Sequence, residues 1–256
     1  MDVKKYLNRI GIDFIPEPTA ENLALIQKAH LQHIPYETCD IALRHVIPSM
    51  EIKDIYEKIV VQKRGGYCFE LNGLFAWLLR QLGYNVRESF GRWHFSETDP
   101  VPMRRHRVIQ VFFEQETYIA DAGVGRPTAL TPLCLKPGIE QERNGMIFRI
   151  MEDPILGYAV QINTPEGFQN FFSFQDKVDM PQDFVYVNYY LATHEDSLFR
   201  KKLMVNLPSP EGRRSIFLEK DQYVFRCEGK EEVEYIPLDK EDRLKAVLAE
   251  YFNIKW

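Results

Sequence analysis

The stretch Lys63-Arg64-Gly65-Gly66-Tyr67-Cys68-Phe69-Glu70-Leu71-Asn72 places a cysteine between a glycine pair and the start of a strongly periodic helix. Apolar residues recur after Cys68 at helical spacing, which predicts one buried stripe that ends near Gly83. The sulfur then lies in the first helical turn, where the helix dipole and unpaired backbone N–H groups favour thiolate over thiol. The stripe consists of Leu71, Leu74, Phe75, Leu78, Leu79 and Leu82.

The glycine pair distinguishes Cys68 from an ordinary core cysteine. Most buried cysteines behave as small hydrophobic side chains. Gly65 and Gly66 let the backbone approach a ligand closely and leave room beside the sulfur. A nucleophilic cysteine also needs a base and a residue that orients the base, and the rest of the chain must supply both.

The composition is typical of an ordinary globular protein. The chain has 256 residues, of which 45% are hydrophobic and 27% charged, and its net charge of −5 argues against nucleic acid as a partner. We find no apolar run of ~20 residues that could span a membrane, and no apolar leader near Met1. The cysteines form no Cys-x-x-Cys pair, so we expect no metal site, no disulfide framework and a cytoplasmic location. They are Cys39, Cys68, Cys134 and Cys227.

The hydrophobic periodicity changes twice along the chain and predicts an α+β fold. Residues 1–83 show helical spacing and are expected to form a bundle of four helices. Residues 84–178 contain short β-rich runs separated by turn residues, which predict an antiparallel sheet or small barrel. Residues 179–256 mix helical and strand-like pieces and end in an amphipathic helix.

Two β-rich runs in the second region are candidates for a hairpin. They cover residues 105–113 and 117–122, and a two-residue loop of Glu114 and Gln115 would pair Phe113 with Glu116. Glu-Gln is not a favoured two-residue turn, and a three-residue loop would reverse the relative faces of the strands. The two-residue loop is therefore the assumption on which the register depends.

This register brings a histidine and an aspartate together. Asp121 lies opposite Val108, so His106 and Asp121 become diagonal neighbours on one face, roughly 7–8 Å apart at the backbone. A buried aspartate needs a partner, and His106 is the one that the register offers. In the alternative, Asp121 instead braces the loop of residues 122–125. The other histidines are expected to be surface or capping residues (His30, His33, His45, His194) or buried among aromatic side chains (His94).

Cys68, His106 and Asp121 together form a possible catalytic triad. Asp121 would fix the tautomer of His106, which would take the thiol proton, and Cys68 would attack an activated carbonyl and hold an acyl group as a thioester. Backbone N–H groups near Cys68 are candidate oxyanion donors. The residues by themselves leave hydrolase, transglutaminase and acyltransferase chemistry open.

The same segments resemble the arylamine N-acetyltransferase family, in its bacterial form. Residues 64–72 resemble that family's active-cysteine motif, and His106 with the Asp121-Ala122-Gly123-Val124-Gly125 segment resembles its histidine and aspartate region. Residues 34–37 are similar to its N-terminal Pro-Phe-Glu-Asn signature, and residues 188–194 to a later helical motif. The similarity runs from about residue 19 to 206.

The resemblance implies a fold, a reaction and a set of contacts. The implied fold has a helical bundle (1–83), a β-barrel (84–178) and an α/β lid (179–256), with a cysteine-protease-like Cys-His-Asp core. The implied reaction is ping-pong transfer from acetyl-CoA, a co-substrate and not a bound cofactor, to an arylamine, arylhydrazine or N-hydroxyarylamine. Cys68, His106 and Asp121 fall on the family's triad positions. Contacts to coenzyme A are implied at Met103, Arg105, Gly125 and Tyr190, and an acceptor pocket at Tyr36 and Val124.

This chain departs from the family pattern in and beside the acceptor pocket. Tyr36 stands where the family usually has Phe, Thr38 where it usually has Asn, and Val124 where many members have Phe. An aliphatic Val124 leaves more room and less stacking surface for an arylamine. We therefore expect altered acceptor preference with retained activity. The competing hypotheses are a cysteine hydrolase or transglutaminase-like enzyme with the same triad, and an inactive binding module that keeps the fold.

Overall fold

Helices dominate the first third of the chain in the computed structural model, which describes residues 1–95, 97–210 and 212–255. Asp2 and Thr19 cap the first two helices, since Asp2 accepts the backbone N–H of Lys4 and Thr19 that of Asn22. A single π-helical turn, Glu57–Val61, extends the fourth helix. The helices are α1 (Val3–Arg9), α2 (Ala20–His33), α3 (Cys39–Ala42), α4 (Ile52–Tyr56) and α5 (Cys68–Gln81).

An eight-stranded antiparallel sheet follows and closes almost completely into a barrel. The side-chain amide of Gln141 joins its two edge strands, because it donates to the carbonyl of Cys134 and accepts from the N–H of the same residue, both at 2.8 Å. The strands are β2 (Asn85–Trp93), β3 (Arg104–Phe112), β4 (Thr117–Ala120), β5 (Leu133–Cys134), β6 (Glu140–Arg143), β7 (Met146–Asp153), β8 (Gly157–Thr164) and β9 (Gly167–Phe174). Their order is β5-β4-β3-β2-β9-β8-β7-β6.

The hairpin of β3 and β4 has the register that the sequence predicts. Ile109 pairs with Ala120 and Phe112 with Thr117. The N–H of Phe113 donates to the carbonyl of Glu116 at 2.8 Å, so the loop contains two residues despite its unfavoured composition.

A second antiparallel sheet of five strands combines strands from both ends of the chain. Its first strand, β1 (Tyr36–Glu37), comes from the N-terminal region and was missed in the sequence because it has only two residues. The α+β fold is confirmed, whereas the division at residues 83 and 178 stays a prediction. The remaining elements are α6 (Phe184–Thr193), α7 (Leu198–Lys201), β10 (Met204–Ser209), β11 (Gly212–Glu219), β12 (Gln222–Cys227), β13 (Glu232–Pro237) and α8 (Glu241–Phe252). The strand order of the second sheet is β1-β10-β11-β12-β13.

A buried ion cluster of Glu37, Asp40, Lys58, Arg64 and Glu70 connects β1 and α3 to the glycine loop and to α5. Lys58 Nζ lies 2.7 Å from Asp40 Oδ2 and 2.8 Å from Glu70 Oε1. Arg64 contacts Glu37 Oε1 at 2.8 Å and Asp40 Oδ1 at 2.9 Å. Each buried cation therefore has two close carboxylate partners, which offsets its desolvation.

The electrostatics of the buried ion cluster favour the charged forms of Asp40 and Lys58, whereas burial raises the pKa of Glu70. Burial raises the pKa of Asp40, but Lys58 and Arg64 outweigh burial and bring that pKa down to about 2. Burial lowers the pKa of Lys58, and the carboxylates of Glu70, Glu37 and Asp40 reverse the effect and raise it above its usual value.

The expectation that His30 is a surface or capping residue is wrong. Its side chain is fully buried, and Nδ1 lies 2.9 Å from the hydroxyl of Tyr6. Burial, followed by the nearby Arg9 and His33, lowers the pKa of His30 to about 3. The imidazole is therefore neutral in the folded protein and packs against Phe75 as part of the helical core.

Replacing Lys58 tests how strongly the buried ion cluster stabilises the fold. We expect Lys58→Met to lower the free energy of unfolding by about 3–5 kcal/mol, because it leaves buried carboxylates without their shared cation. Urea unfolding measures the loss. The control is Lys53→Met on α4, an exposed lysine, for which a change within about 0.5 kcal/mol is expected. Equal unfolding midpoints for the two variants would contradict the prediction.

Candidate active site

Cys68 is the first residue of α5 and lies against the loop that follows Asp121. Its side chain is almost fully buried, and Sγ donates to the main-chain carbonyl of Arg105 at 3.7 Å. A Cβ at Gly123 would lie 2.8 Å from the Cα of Cys68, so this position of the loop requires glycine. The N–H of Tyr67, just before the helix, donates to the Glu70 carboxylate at 3.2 Å.

The structure brings His106 and Asp121 into direct contact. His106 Nε2 lies 2.6 Å from Asp121 Oδ2, and both side chains are buried. Because Nε2 faces the carboxylate, Nδ1 is the ring nitrogen left for Cys68. The ring also packs against Trp93 and Phe172, with centroid distances of 5.6 and 5.5 Å.

The second carboxylate oxygen of Asp121 is held by Asn72, one turn after Cys68 on the same helix. Asn72 Nδ2 donates to Asp121 Oδ1 at 2.8 Å, and Asn72 Oδ1 accepts the N–H of Ala122 at 2.8 Å. Asp121 Oδ1 also accepts the N–H of Gly123 at 2.9 Å, so Asp121 both orients His106 and braces the loop. The role of Asn72 was not predicted from the sequence, although a polar residue inside a buried helix is itself a signal of a specific partner.

A further hydrogen bond fixes the backbone beside Asp121. Gln27, on α2, accepts the N–H of Asp121 at 3.1 Å and donates to the carbonyl of Ala129 at 3.2 Å. Gln27 lies on the buried face of α2, and a buried polar side chain needs hydrogen-bond partners of this kind. Two helices therefore position the carboxylate.

The surroundings of His106 stabilise its protonated form. Burial lowers the pKa of His106, but the charge and hydrogen bond of Asp121, together with Cys68, outweigh it and raise the pKa to about 10. An imidazolium next to a thiol is the arrangement that stabilises a thiolate. The resulting contribution to folding stability is fully present below pH 6.5 and is lost as the pH rises through about 10.

A cavity of about 620 Å³ opens onto the sulfur of Cys68. Every predicted site residue except Asp121 lines it, and Asp121 lies behind His106. Several lining residues were not identified from the sequence, including Trp93, Phe95, Arg126 and Lys202, because they come from separate segments with no shared motif. The predicted residues on the wall are Tyr36, Cys68, Met103, Arg105, His106, Val124, Gly125 and Tyr190.

Two of the four residues predicted to contact coenzyme A, Arg105 and Tyr190, already have partners inside the protein. Arg105 forms an ion pair with Glu97. The ring of Tyr190 stacks on His194 at a centroid distance of 4.4 Å. Met103 is largely exposed at the cavity wall. A role in donor binding for these residues stays a prediction.

The acceptor side of the cavity is formed by Tyr36 and Val124. Burial, followed by the nearby Cys68, raises the pKa of Tyr36 well above its usual value, so its phenol stays protonated. A Cβ at Gly125 would lie 2.6 Å from the Tyr36 ring, so glycine is needed where that ring crosses the loop. Val124 is buried and belongs to the core cluster of the barrel.

Within residues 1–95, 97–210 and 212–255, no group of three or more His, Cys, Asp or Glu side chains is arranged to hold a metal ion. The described part of the chain also contains no helix long and apolar enough to cross a membrane. The four cysteines are all free thiols.

Known proteins are similar to this chain in both sequence and fold. A family model described as N-acetyltransferase matches residues 19–256. A Salmonella typhimurium protein named arylamine N-acetyltransferase / N-hydroxyarylamine O-acetyltransferase is 35% identical over 207 residues, which cover 81% of this chain and 73% of that protein. An arylamine N-acetyltransferase of Mycobacterium tuberculosis is 29% identical over 237 residues, or 91% and 83% of the two chains.

Solved structures agree with these sequence matches. The arylamine N-acetyltransferase of Salmonella typhimurium superimposes with a TM-score of 0.87 and 31% identity, covering 98% of this chain and 90% of that one. The Mycobacterium marinum arylamine N-acetyltransferase in complex with CoA gives a TM-score of 0.84 and 28% identity, with coverage of 99% and 93%.

Replacing Asp121 by Asn tests the electrostatic role of this carboxylate. We expect Asp121→Asn to lower the pKa of His106 from about 10 to below 6.5, because burial then acts without its counter-charge. NMR titration of the His106 ring measures the shift, and the rate of Cys68 alkylation at pH 7 should fall with it. The exposed Asp221 provides the control variant Asp221→Asn, in which neither quantity should change. An unchanged His106 titration in Asp121→Asn would refute the assignment.

Proposed function

The chain belongs to the arylamine N-acetyltransferase family, and from that premise we propose that it transfers an acetyl group from acetyl-CoA, through a thioester on Cys68, to the nitrogen of an arylamine, arylhydrazine or N-hydroxyarylamine. The observation that carries the proposal is the contact between His106 and Asp121 beside a buried cysteine at a cavity wall. The cysteine at the helix start and the hairpin register together give the same three residues as the family motifs.

The first half-reaction loads the enzyme. Sγ of Cys68, as a thiolate paired with the His106 imidazolium, attacks the carbonyl carbon of the donor thioester. The tetrahedral intermediate collapses when the bond to the coenzyme A sulfur breaks, and that sulfur takes the proton of His106. First-turn N–H groups of α5 are the proposed donors to the oxyanion. The products are free coenzyme A and acetylated Cys68.

The second half-reaction regenerates the thiolate. The acceptor nitrogen attacks the acetyl carbon on Cys68, the carbon–sulfur bond breaks, and His106 accepts the proton that the nitrogen loses. Asp121 remains ionised throughout and keeps Nδ1 of His106 directed at the sulfur. Both the Cys68 thiolate and the His106 imidazolium are restored, so no permanently bound cofactor is needed.

The co-substrate, the partners and the cellular location that we propose are consistent with the same residues and with the composition of the chain. Acetyl-CoA acts as a co-substrate that binds and leaves in each cycle, and the acceptor occupies the part of the cavity beside Tyr36 and Val124. The four free cysteines support a reducing location, the cytoplasm. The acidic net charge of −5 supports small-molecule partners and not nucleic acid.

Incubation with acetyl-CoA alone tests the first half-reaction. We expect intact-protein mass spectrometry to show one added acetyl group on Cys68, because the thioester forms before any acceptor binds. Added arylamine should remove that group. Cys134→Ala, which changes a free thiol remote from the cavity wall, should be acetylated normally, and Cys68→Ala should not. Turnover that persists in Cys68→Ala would rule out the mechanism. If acetate is released at the same rate with and without the amine, the enzyme is a hydrolase.

A second substitution tests the acceptor side of the cavity. Val124→Phe should raise kcat/KM for small monocyclic arylamines roughly 2- to 10-fold through added stacking, and lower it for bicyclic ones, because the new ring occupies space. Acetylation rates for a panel of arylamines measure the profile. Val233→Phe, on the exposed side of β13, is the matched control. If Val124→Phe leaves the profile as it is in the unaltered enzyme, Val124 does not shape acceptor preference.

A further inference from the structure

Two cations on the wall of the Cys68 cavity have no acidic partner in the described part of the chain. Arg105, Arg126 and Lys202 line this wall. Arg105 is paired with Glu97. The side chains of Arg126 and Lys202 form neither an ion pair nor a hydrogen bond with any described residue. Their charge is therefore available to a ligand.

Three of the four described carboxylates that line this cavity and the adjoining one are paired with other cations, including Glu97 with Arg105, and the fourth, Asp99, accepts the N–H of Val101. Asp196, on the same cavity wall, lies 3.1 Å from the ammonium of Lys201. Glu219, in the adjoining cavity, accepts from Arg226 at 2.6 Å. The protein's own carboxylates therefore neutralise little of the positive charge of Arg126 and Lys202. An anionic ligand would supply the missing counter-charge.

The two cations stand where one cavity continues into another. A second cavity of about 280 Å³ shares Arg126, Leu198, Lys202 and Met204 with the first and extends to Phe217 on β11. The combined groove therefore leads from Cys68, past both cations, to the C-terminal sheet. A long donor with a thioester at one end and phosphate groups further along matches this layout.

The guanidinium of Arg126 can donate two hydrogen bonds to the same phosphate group. Its guanidinium carbon lies 5.7 Å from the centroid of the Phe95 ring, and no described residue accepts a hydrogen bond from its N–H groups. A planar fork of this kind suits bidentate phosphate binding. Burial also lowers the pKa of Arg126, which a bound anion would counteract.

We propose that Arg126 and Lys202 bind the phosphate groups of the coenzyme A donor, at the junction of the two cavities. The inference deepens the proposed function, since it names the residues by which the same site would hold its donor. Arg105, paired with Glu97, would then shape the cavity wall and supply little charge to the phosphates. A carboxylate on the acceptor is the competing ligand for the same two cations.

Calorimetric titration with coenzyme A and with uncharged pantetheine tests the assignment. Loss of one charge-assisted contact in Arg126→Gln or Lys202→Gln should raise the dissociation constant for coenzyme A roughly 10- to 100-fold, and leave that for pantetheine unchanged. Arg126→Lys should recover part of the affinity. The matched control is Lys53→Gln, which removes an exposed lysine that lines neither cavity. Titration with 3′-dephospho-coenzyme A shows which phosphate group each cation binds.

Three outcomes would overturn the assignment: unchanged binding of coenzyme A, an equal loss for pantetheine, or a loss confined to p-aminobenzoate as an anionic acceptor. The readout is independent of turnover. If the wild-type protein is acetylated on Cys68 but Arg126→Gln and Lys202→Gln bind coenzyme A normally, the phosphate assignment alone fails. If acetylation does not occur while these variants still lose affinity for coenzyme A, the proposed reaction fails and the phosphate site stands.

Discussion

The pairing of Lys58 and Arg64 with three carboxylates, away from water, is the constraint on which the rest of the structure depends. The buried ion cluster joins β1, α3, the π-helical turn, the glycine loop and α5, and each cation must keep its partners because an unpaired buried charge is costly. One carboxylate of the cluster, Glu70, also caps α5 at Tyr67. The start of the cysteine helix is therefore fixed by electrostatics as well as by packing.

The candidate triad depends on two kinds of support. The strand register places His106 near Asp121, and side-chain amides from two helices then hold the carboxylate in one orientation. Asn72 belongs to the same helix as Cys68, so the nucleophile and the orienting carboxylate are connected through one rigid element. A shift of α5 would move both together, which keeps the reacting groups aligned.

Local patterns in the sequence predict the cysteine helix, the β3–β4 hairpin and the His106–Asp121 contact, because each depends on periodicity or on a short loop. The buried ion cluster was missed, since Glu37 and Arg64 meet only in the folded protein. His30 was predicted to be a surface or capping residue because the sequence of its own helix contains no sign of the contact with Tyr6. The junction formed by Arg126 and Lys202 was missed because the two residues are 76 positions apart in the sequence and line one site only in the folded protein.

The two residues of β1 have separate tasks on opposite sides of one short strand. Tyr36 forms part of the cavity wall, and its neighbour Glu37 belongs to the buried ion cluster. Residue 36 can therefore change in size or polarity while residue 37 continues to hold the scaffold. This separation gives the protein a route by which its range of acceptors can diverge during evolution without loss of the architecture that activates the thiol.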